Sequence, residues 1–296
     1  MHNSGESIII KTNDYEACIV TVGAGLCYLK YKQQDLVIAH DPTEIPLAHL
    51  GKILTPWPNR IANGNYIFDG KSYSLAINDR ANNAAIHGLE AWVLWQIDSI
   101  YPNSCTLSTN VVPIYGYPFN ILCQVTYTLS DEKGLEVSIY AKNIGKETAP
   151  YGCGSHPYLT CNNQPIEDLF FTLDSNKTYV VDENLNPKEL VDSNNIGLDF
   201  SRRRQIQDTK IDHTFIPNKK HWEAILEGEK LSVTMSSDCP FIQIYSGEKL
   251  ARKGIAIEPM SCAPDAFNSK LGLVKLKPNQ SHILSFNISA KEKSLL

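Results

Sequence analysis

Apolar and polar positions alternate along most of this chain. Short runs of β-branched and aromatic residues recur every 8 to 12 positions, separated by turn-forming residues. Examples are SIIIKT (7–12), ACIVTV (17–22), LCYLKY (26–31), NYIFDGKSYSL (65–75), FNILCQVTYTL (119–129), LEVSIYAKN (135–143), KLSVTMSS (230–237) and PFIQIYSG (240–247). A period of two is that of a strand with one face buried. Asp69-Gly70 between two such runs predicts a tight hairpin, and Asp131 to Gly134 predicts another between 129 and 135. Nowhere do apolar residues hold helical spacing for more than about two turns. The pattern predicts an all-β protein, a large antiparallel β-sandwich, and not alternating β and α units. No internal repeat and no linker-like stretch divides it, so the expectation is a single domain over residues 1–296, with a frayed polar tail at 291–296.

Two strand ends break the alternation in the same way. In IAIEPM (255–260), Ile255 and Ile257 face one side, while Gly254, Ala256 and Glu258 face the other. Pro259 brings no N–H and is expected to end the ladder there. In YGCGSHPYLT (151–160), Gly152, Gly154 and His156 share a face, and Pro157 biases His156 toward extended backbone. Each is a small-x-small-x-titratable-Pro pattern, and small neighbours leave space beside a carboxylate or an imidazole. The alternatives are a solvent-facing Glu258 and a structurally satisfied His156.

Three other segments carry candidate chemistry. NNAAIHGLEAW (82–92) holds His87 at a loop or strand edge, with Ala85 on its face if extended. TPWPNRIANG (55–64) is kept irregular by its prolines and offers Trp57, Asn59 and Arg60, groups suited to a hydroxyl-rich ligand. KIDHTF (210–215) contains Asp212, uninformative alone.

Bulk properties exclude several classes. The chain has 296 residues, enough for a large core, with 43% apolar and 20% charged residues. A net charge of −5 gives no footprint for nucleic acid, and no run approaches the roughly 20 apolar residues of a membrane span. The start shows no secretion signal. Eight cysteines, at 18, 27, 105, 123, 153, 161, 239 and 262, form no C-x-x-C pair and mostly sit in apolar runs, as expected of buried thiols in a reducing cytoplasm. Gly23 and Gly25 lack the third glycine and helix of a dinucleotide fingerprint. No G-x-S-x-G elbow or H-E-x-x-H spacing is present, and Arg202-Arg203-Arg204 reads as a solvated cluster.

The motifs together resemble the aldose 1-epimerase (galactose mutarotase) family, especially bacterial members with a PWPNRI loop. The resemblance runs through NRIANGNYIFDGKSYSLAIND (59–79), IHGLEAWVLWQI (86–97), YGYPF (115–119), GSHPYL (154–159), LDF followed by Arg202, IDHTF (211–215), QIYSG (243–247) and IAIEPMSCAPDAFN (255–268). It implies one large antiparallel β-sandwich with a sugar cleft. It also implies that ionised Glu258 is the general base on the anomeric hydroxyl and protonated His156 the general acid on the ring oxygen. His87 is the second histidine near that oxygen, and Arg60, Asn59 and Asp212 hold sugar hydroxyls. Two departures, Ile86-His87-Gly88-Leu89 for L-H-G-G and Leu159 for a frequent Phe, bear on which sugar is preferred.

No metal and no organic cofactor is required for this chemistry. The expected partner is a small-molecule sugar, bound by a monomer or homodimer. Composition alone adds Trp57 or Tyr245 as an aromatic surface for the sugar. The rival readings are a hexose-6-phosphate 1-epimerase, for which Lys52, Arg80 and Arg202–Arg204 are the candidate phosphate ligands, a glycoside hydrolase using Glu258 and Asp212, and a carbohydrate-binding domain without catalysis.

Overall fold

A computed structural model describes residues 2–293 and is nearly all β, with 51% of residues in strands and 6% in helices. Nine antiparallel strands form the larger sheet, in the order Gln96–Tyr101, Ser104–Val111, Ile121–Ser130, Gly134–Asn143, Ser281–Glu292, Leu231–Ser237, Trp222–Glu227, Phe170–Leu173 and Arg204–Gln205. Its central strands alternate: in Ile121–Ser130 the residues Ile121, Cys123, Val125, Tyr127 and Leu129 are buried, and their neighbours are not. One face thus packs on the core and the other is open.

The second sheet runs Pro187–Asp192, Lys177–Val181, Asp212–Ile216, Phe241–Tyr245, Ile255–Met260, Gly154–Ser155 and Ile53–Leu54, with Tyr158–Leu159 also paired to Ile255–Met260. Phe215, Ile242, Ile244, Ile255 and Ile257 from this sheet join Leu226, Val233, Leu284 and Phe286 from the first in one continuous core. Ser7–Lys11, Tyr15–Val20, Gly25–Tyr31 and Gln34–Asp35 make a separate four-stranded sheet whose apolar side chains enter the same core.

The hairpin at Asp69-Gly70 forms as predicted. Asn65–Phe68 pairs with Lys71–Ser74, and both turn residues take positive φ, 47° and 77°, the conformation a two-residue turn of this hand requires. The second hairpin joins Ile121–Ser130 to Gly134–Asn143 in full register.

Two expectations fail. Pro259 does not end its strand: Ile242 pairs with Pro259 and Phe241 with Met260. N–H groups in Ile255–Met260 alternate sides, and Ile257 donates toward Pro157. The N–H that Pro259 lacks therefore faces the Gly154–Ser155 side, and the strand continues through its pairing with Phe241–Tyr245 on the other. The tail is not frayed at its start either, since Lys291 and Glu292 pair with Ser232 and Leu231; residues 294–296 lie outside the described residues.

Replacing fully buried Ile139 on the core face by Ala is expected to cost about 2–5 kcal/mol. Ser138→Ala, on the open face of the same strand, is expected to stay within about 0.5 kcal/mol. Urea unfolding of the two variants measures the contrast.

Candidate active site

The site is assembled on the face of the second sheet that turns away from the core. Directly opposed residues share a face, and the register sets Gln243 against Glu258, Thr214 against Gln243, Tyr245 against Asp212 and Ala256, and Tyr158 against Ala256. His156 occupies the break between Gly154–Ser155 and Tyr158–Leu159. Its N–H donates to the Lys52 carbonyl and its carbonyl accepts from Gly51 N–H, both at 3.0 Å. Gly51 has φ 68°, and a Cβ there would overlap the Leu26 carbonyl, so only glycine fits this approach.

The small residues beside the two titratable groups do make room, but the chain itself fills it. A Cβ on Gly152 or Gly154 would press on Pro58, and one on Gly254 on Ile38. Tyr158 is packed with Ala256 and Ile38. Gly152 and Gly154 therefore admit Pro58 of the loop that carries Asn59 and Arg60, together with the neighbouring Cys262 thiol and Pro259 carbonyl, and Gly254 admits Ile38.

Glu258 is 2% exposed, so the solvent-facing alternative is excluded. His156 Nε2 lies 3.4 Å from Glu258 Oε1, while Glu258 Oε2 and His156 Nδ1 are buried without a hydrogen-bond partner. The His156 ring stacks on Tyr158, with centroids 5.0 Å apart, and meets the His87 ring edge-on at 5.1 Å. Burial pushes His156 down to about 3, helped by His49, and pushes Glu258 well above the ordinary carboxylate value, helped by Asp212. This differs from the expected charged imidazole and ionised carboxylate. Without a ligand, desolvation disfavours both charges. The neutral pair nevertheless holds the same single proton as the ion pair would.

His87 follows the short strand Ala84–Ile86 with φ 64°, so it does not continue the face of Ala85 as an extended residue would. Its N–H donates to the Asn59 carbonyl at 2.9 Å, and its Nδ1 is buried without a partner. Burial keeps it well below the usual histidine value, with the His49 charge adding to the effect. The loop after the cis Thr55–Pro56 bond leads into Arg60–Ala62. Arg60 Nε bonds Asp79 Oδ2 at 3.0 Å, one terminal nitrogen donates to Asn59 Oδ1 at 3.2 Å, and the other stands 4.0 Å from Asp212 Oδ2. Burial acts to raise Asp79, yet bonds from Asn82 and Arg60 hold it below its ordinary value. Asp212 accepts from Gln243 Nε2 at 2.6 Å and is raised, chiefly by burial, against the pull of Arg60.

A cavity of about 190 Å³ is lined by Glu258, His156, His87, Arg60, Asn59, Asp212 and Tyr245. Its volume equals that of roughly six liquid waters, which suits one monosaccharide ring. Sequence reasoning missed His49, Asn78, Asp79, Asn82, Tyr158, Leu185 and Lys249, which also line it. Asn78 and Asp79 lie inside a stretch that resembles the family, which was a usable signal. His49 had none beyond a following glycine. Trp57 was placed wrongly: it is 2% exposed, packs against Phe267 at 5.7 Å and donates to the Ala85 carbonyl. Its role is to fix the loop from below. Among the candidate phosphate ligands, Lys52 is buried with Nζ on the Val22 carbonyl, and neither Arg80 nor Arg202–Arg204 lines the cavity. A larger groove of about 720 Å³ crosses the open face of the nine-stranded sheet and contains none of these residues.

The rim carries backbone strain. Ala48 and His49 are consecutive left-handed residues, φ 51° and 55°, at a cost of roughly 1–2 kcal/mol each. Such strain persists where the surroundings hold it. Here Tyr158 Oη donates to the Ala48 carbonyl.

An all-β sandwich with a buried acid–base pair in a sugar-sized polar cavity defines a class, and comparison with known proteins gives the same class. The sequence description of aldose 1-epimerase matches residues 6–289. The chain belongs to the aldose 1-epimerase family, isomerases that act on carbohydrates. It is 48% identical over 295 residues to an uncharacterized Escherichia coli protein, YihR, covering 99% of this chain and 96% of that one. It is 28% identical to an aldose 1-epimerase of Haemophilus influenzae over 75% of this chain and 74% of that one. With human galactose mutarotase the identity is 27%, over 79% and 76%. Among solved structures, a GalM/aldose epimerase homologue from C. elegans superposes with a TM-score of 0.88 at 21% identity, covering 98% of this chain and 100% of that one. That likeness concerns the fold.

Because the folded state holds the Glu258 proton more tightly than the unfolded chain, wild-type stability falls as pH rises above the unfolded carboxylate value. Glu258→Gln, which cannot lose a proton, is expected to match wild type near pH 4 and to melt at higher temperature than wild type at pH 8 to 9. Thermal melts across that range measure it; parallel curves would mean that Glu258 is not held protonated.

Proposed function

We propose that the protein interconverts the α and β anomers of a free aldohexose, such as glucose or galactose, through the open-chain aldehyde. The observation that carries this reading is the His156–Glu258 contact at 3.4 Å, with the unpartnered Glu258 Oε2 beside it in a cavity for one sugar ring. Ring opening needs a proton taken from O1 and another given to O5. A pair holding one proton between two groups meets both needs. Transfer across the contact converts the neutral pair into ionised Glu258 and protonated His156, a form stabilised when sugar hydroxyls replace the missing water.

Glu258 then accepts the O1 proton as the C1–O5 bond breaks, and His156 protonates O5. After rotation about C1–C2, the reverse transfers close the ring on the other face. Such assistance contributes on the order of 10²–10⁴ in rate, about 3–5 kcal/mol. Arg60 and His87 steady charge at the ring oxygen. Asn59 and Asp212 hold hydroxyls, and Tyr245 offers the sugar an aromatic surface. Arg60 is already engaged by Asp79, and of the other lysines and arginines among the described residues only Lys249 lines the cavity. This favours an unphosphorylated sugar. Eight free buried thiols suit a reducing cytoplasm as the setting.

Polarimetry of freshly dissolved α-D-glucose and α-D-galactose tests the reading. Wild type is expected to speed equilibration, and Glu258→Gln to lower kcat by about 10² or more with little change in KM. An active Gln variant removes Glu258 from the chemistry, whereas sugar binding without acceleration would indicate a binding protein.

The pH profile gives a second check. The one-proton form of the pair persists between its two macroscopic titrations. Burial moves the lower one down toward about 3 and the upper one up. The plateau of kcat/KM, after subtraction of the uncatalysed rate, is therefore expected to extend through pH 5. An acid limb centred near 6.5 would mean that His156 titrates as an exposed imidazole.

A further inference from the structure

Arg60 steadies charge at the ring oxygen in the mechanism above, yet the element that carries it has little hold of its own. Arg60–Ala62 pairs with Ala84–Ile86 as a two-stranded ribbon separate from the large sheets, with Arg60 opposite Ile86, Ile61 opposite Ala85 and Ala62 opposite Ala84. An isolated two-stranded ribbon is marginally stable at best. In an antiparallel pair, hydrogen-bonded positions alternate with positions whose backbone groups point outward. Here Ile61 and Ala85 face each other, and the flanking residues turn their groups to the two outer edges.

Each outer edge is closed by residues from elsewhere. On the Ala84–Ile86 side, Asn78 Oδ1 accepts from the Ile86 N–H at 2.7 Å and Asn78 Nδ2 donates to the Ile86 carbonyl at 3.0 Å. On the Arg60–Ala62 side the partner is Asp265. Its backbone N–H donates to the Arg60 carbonyl at 2.7 Å, and its Oδ1 accepts from the Ala62 N–H at 2.9 Å. One residue, using main chain and side chain together, thus supplies the bonds that a third strand would make around Ile61.

The local sequence holds Asp265 in that pose. Its φ of 56° lies in the left-handed region, which Asp enters more readily than most residues. Asn268 Nδ2 donates to the same Oδ1 at 2.8 Å and to the Asn65 carbonyl at 2.9 Å, which fixes the carboxylate. The neighbouring Phe267 is 1% exposed and packs on Trp57, so the same segment grips the Arg60 loop from below. Asp265 does not line the cavity. It belongs to the segment that leaves the Glu258 strand, whereas Arg60 comes from the first quarter of the chain. Its two bonds therefore join the general base to the buried cation. His87, at the other end of the ribbon, is held separately through Asn78 and the Asn59 carbonyl.

We infer that Asp265 is a positioning residue for the reaction: its paired bonds to the Arg60 carbonyl and the Ala62 N–H set where the Arg60 guanidinium stands relative to Glu258 and His156. The inference rests on the mutarotase reading above. Misplacing a charge-stabilising group by about 1 Å can cost up to 10²-fold in rate, and the loss falls on the transition state.

Polarimetry with D-glucose and D-galactose tests it. Asp265→Gly deletes the carboxylate and suits the left-handed backbone. It is expected to lower kcat about tenfold with KM changed less than about twofold. Asp265→Asn keeps the Oδ1 acceptor and is expected to stay within about twofold of wild type in kcat. In an Arg60→Gln background, Asp265→Gly is expected to lower kcat by less than a further factor of about two, because no guanidinium is left to misplace. Should Asp265→Gly melt below the assay temperature, Asp265→Glu serves in its place. It keeps the charge but sets the acceptor one methylene away, and a loss of kcat with the same dependence on Arg60 is expected. Equal losses in both backgrounds, a loss confined to KM, or an Asn variant as slow as the Gly variant overturns the inference while leaving mutarotation standing. No acceleration of either sugar by wild type overturns the mutarotase reading, and this inference with it.

Discussion

The imidazole of His156 and the carboxyl of Glu258, 3.4 Å apart and almost wholly withdrawn from water, constrain everything around them. Separately, either charge would be costly to bury, and each group is driven toward its neutral form. Together they hold one proton and no net charge, and the protein tolerates them deep in a β-sandwich. The nearby cation follows the same logic. Arg60 is almost fully buried, and it is held by Asp79 on one side and Asp212 on the other. The cavity is polar, and its buried charges are paired or neutralised.

That balance depends on joining regular and irregular structure. The sheet contributes order: Glu258, Gln243, Thr214, Tyr245 and Asp212 share one face because register leaves them no choice. Loops and a short two-stranded ribbon contribute what this sheet cannot, namely His87, Asn59 and His49 from loops and Arg60 from the ribbon. Glycines at 152 and 154 let Pro58 settle on the strand. Trp57 anchors the same loop in the core beneath.

The strands, the two hairpins and the all-β architecture were legible because alternation and turn chemistry are local signals. Glu258 and His156 were legible for a related reason: each ends a stretch whose small residues break the usual apolar face. The interpretation of that break was incomplete, since the space serves the chain's own loop. Trp57 was misread because a proline-rich segment looks exposed in sequence, whereas this one folds inward. His49, Lys249 and Leu185 were invisible. They sit in turns without periodicity and reach the cavity through contacts far apart in the chain. Protonation was also beyond the sequence, because residue type gives the ordinary value and only burial gives the shift.

The strand Ser281–Glu292 lies in the middle of the nine-stranded sheet, between Gly134–Asn143 and Leu231–Ser237. Among the described residues it is the strand that joins the two halves of this sheet. During synthesis it is the last of the described strands to emerge, so until then each half presents a bare strand edge with unpaired backbone groups. The larger sheet therefore closes only once Ser281–Glu292 is available to pair on both sides.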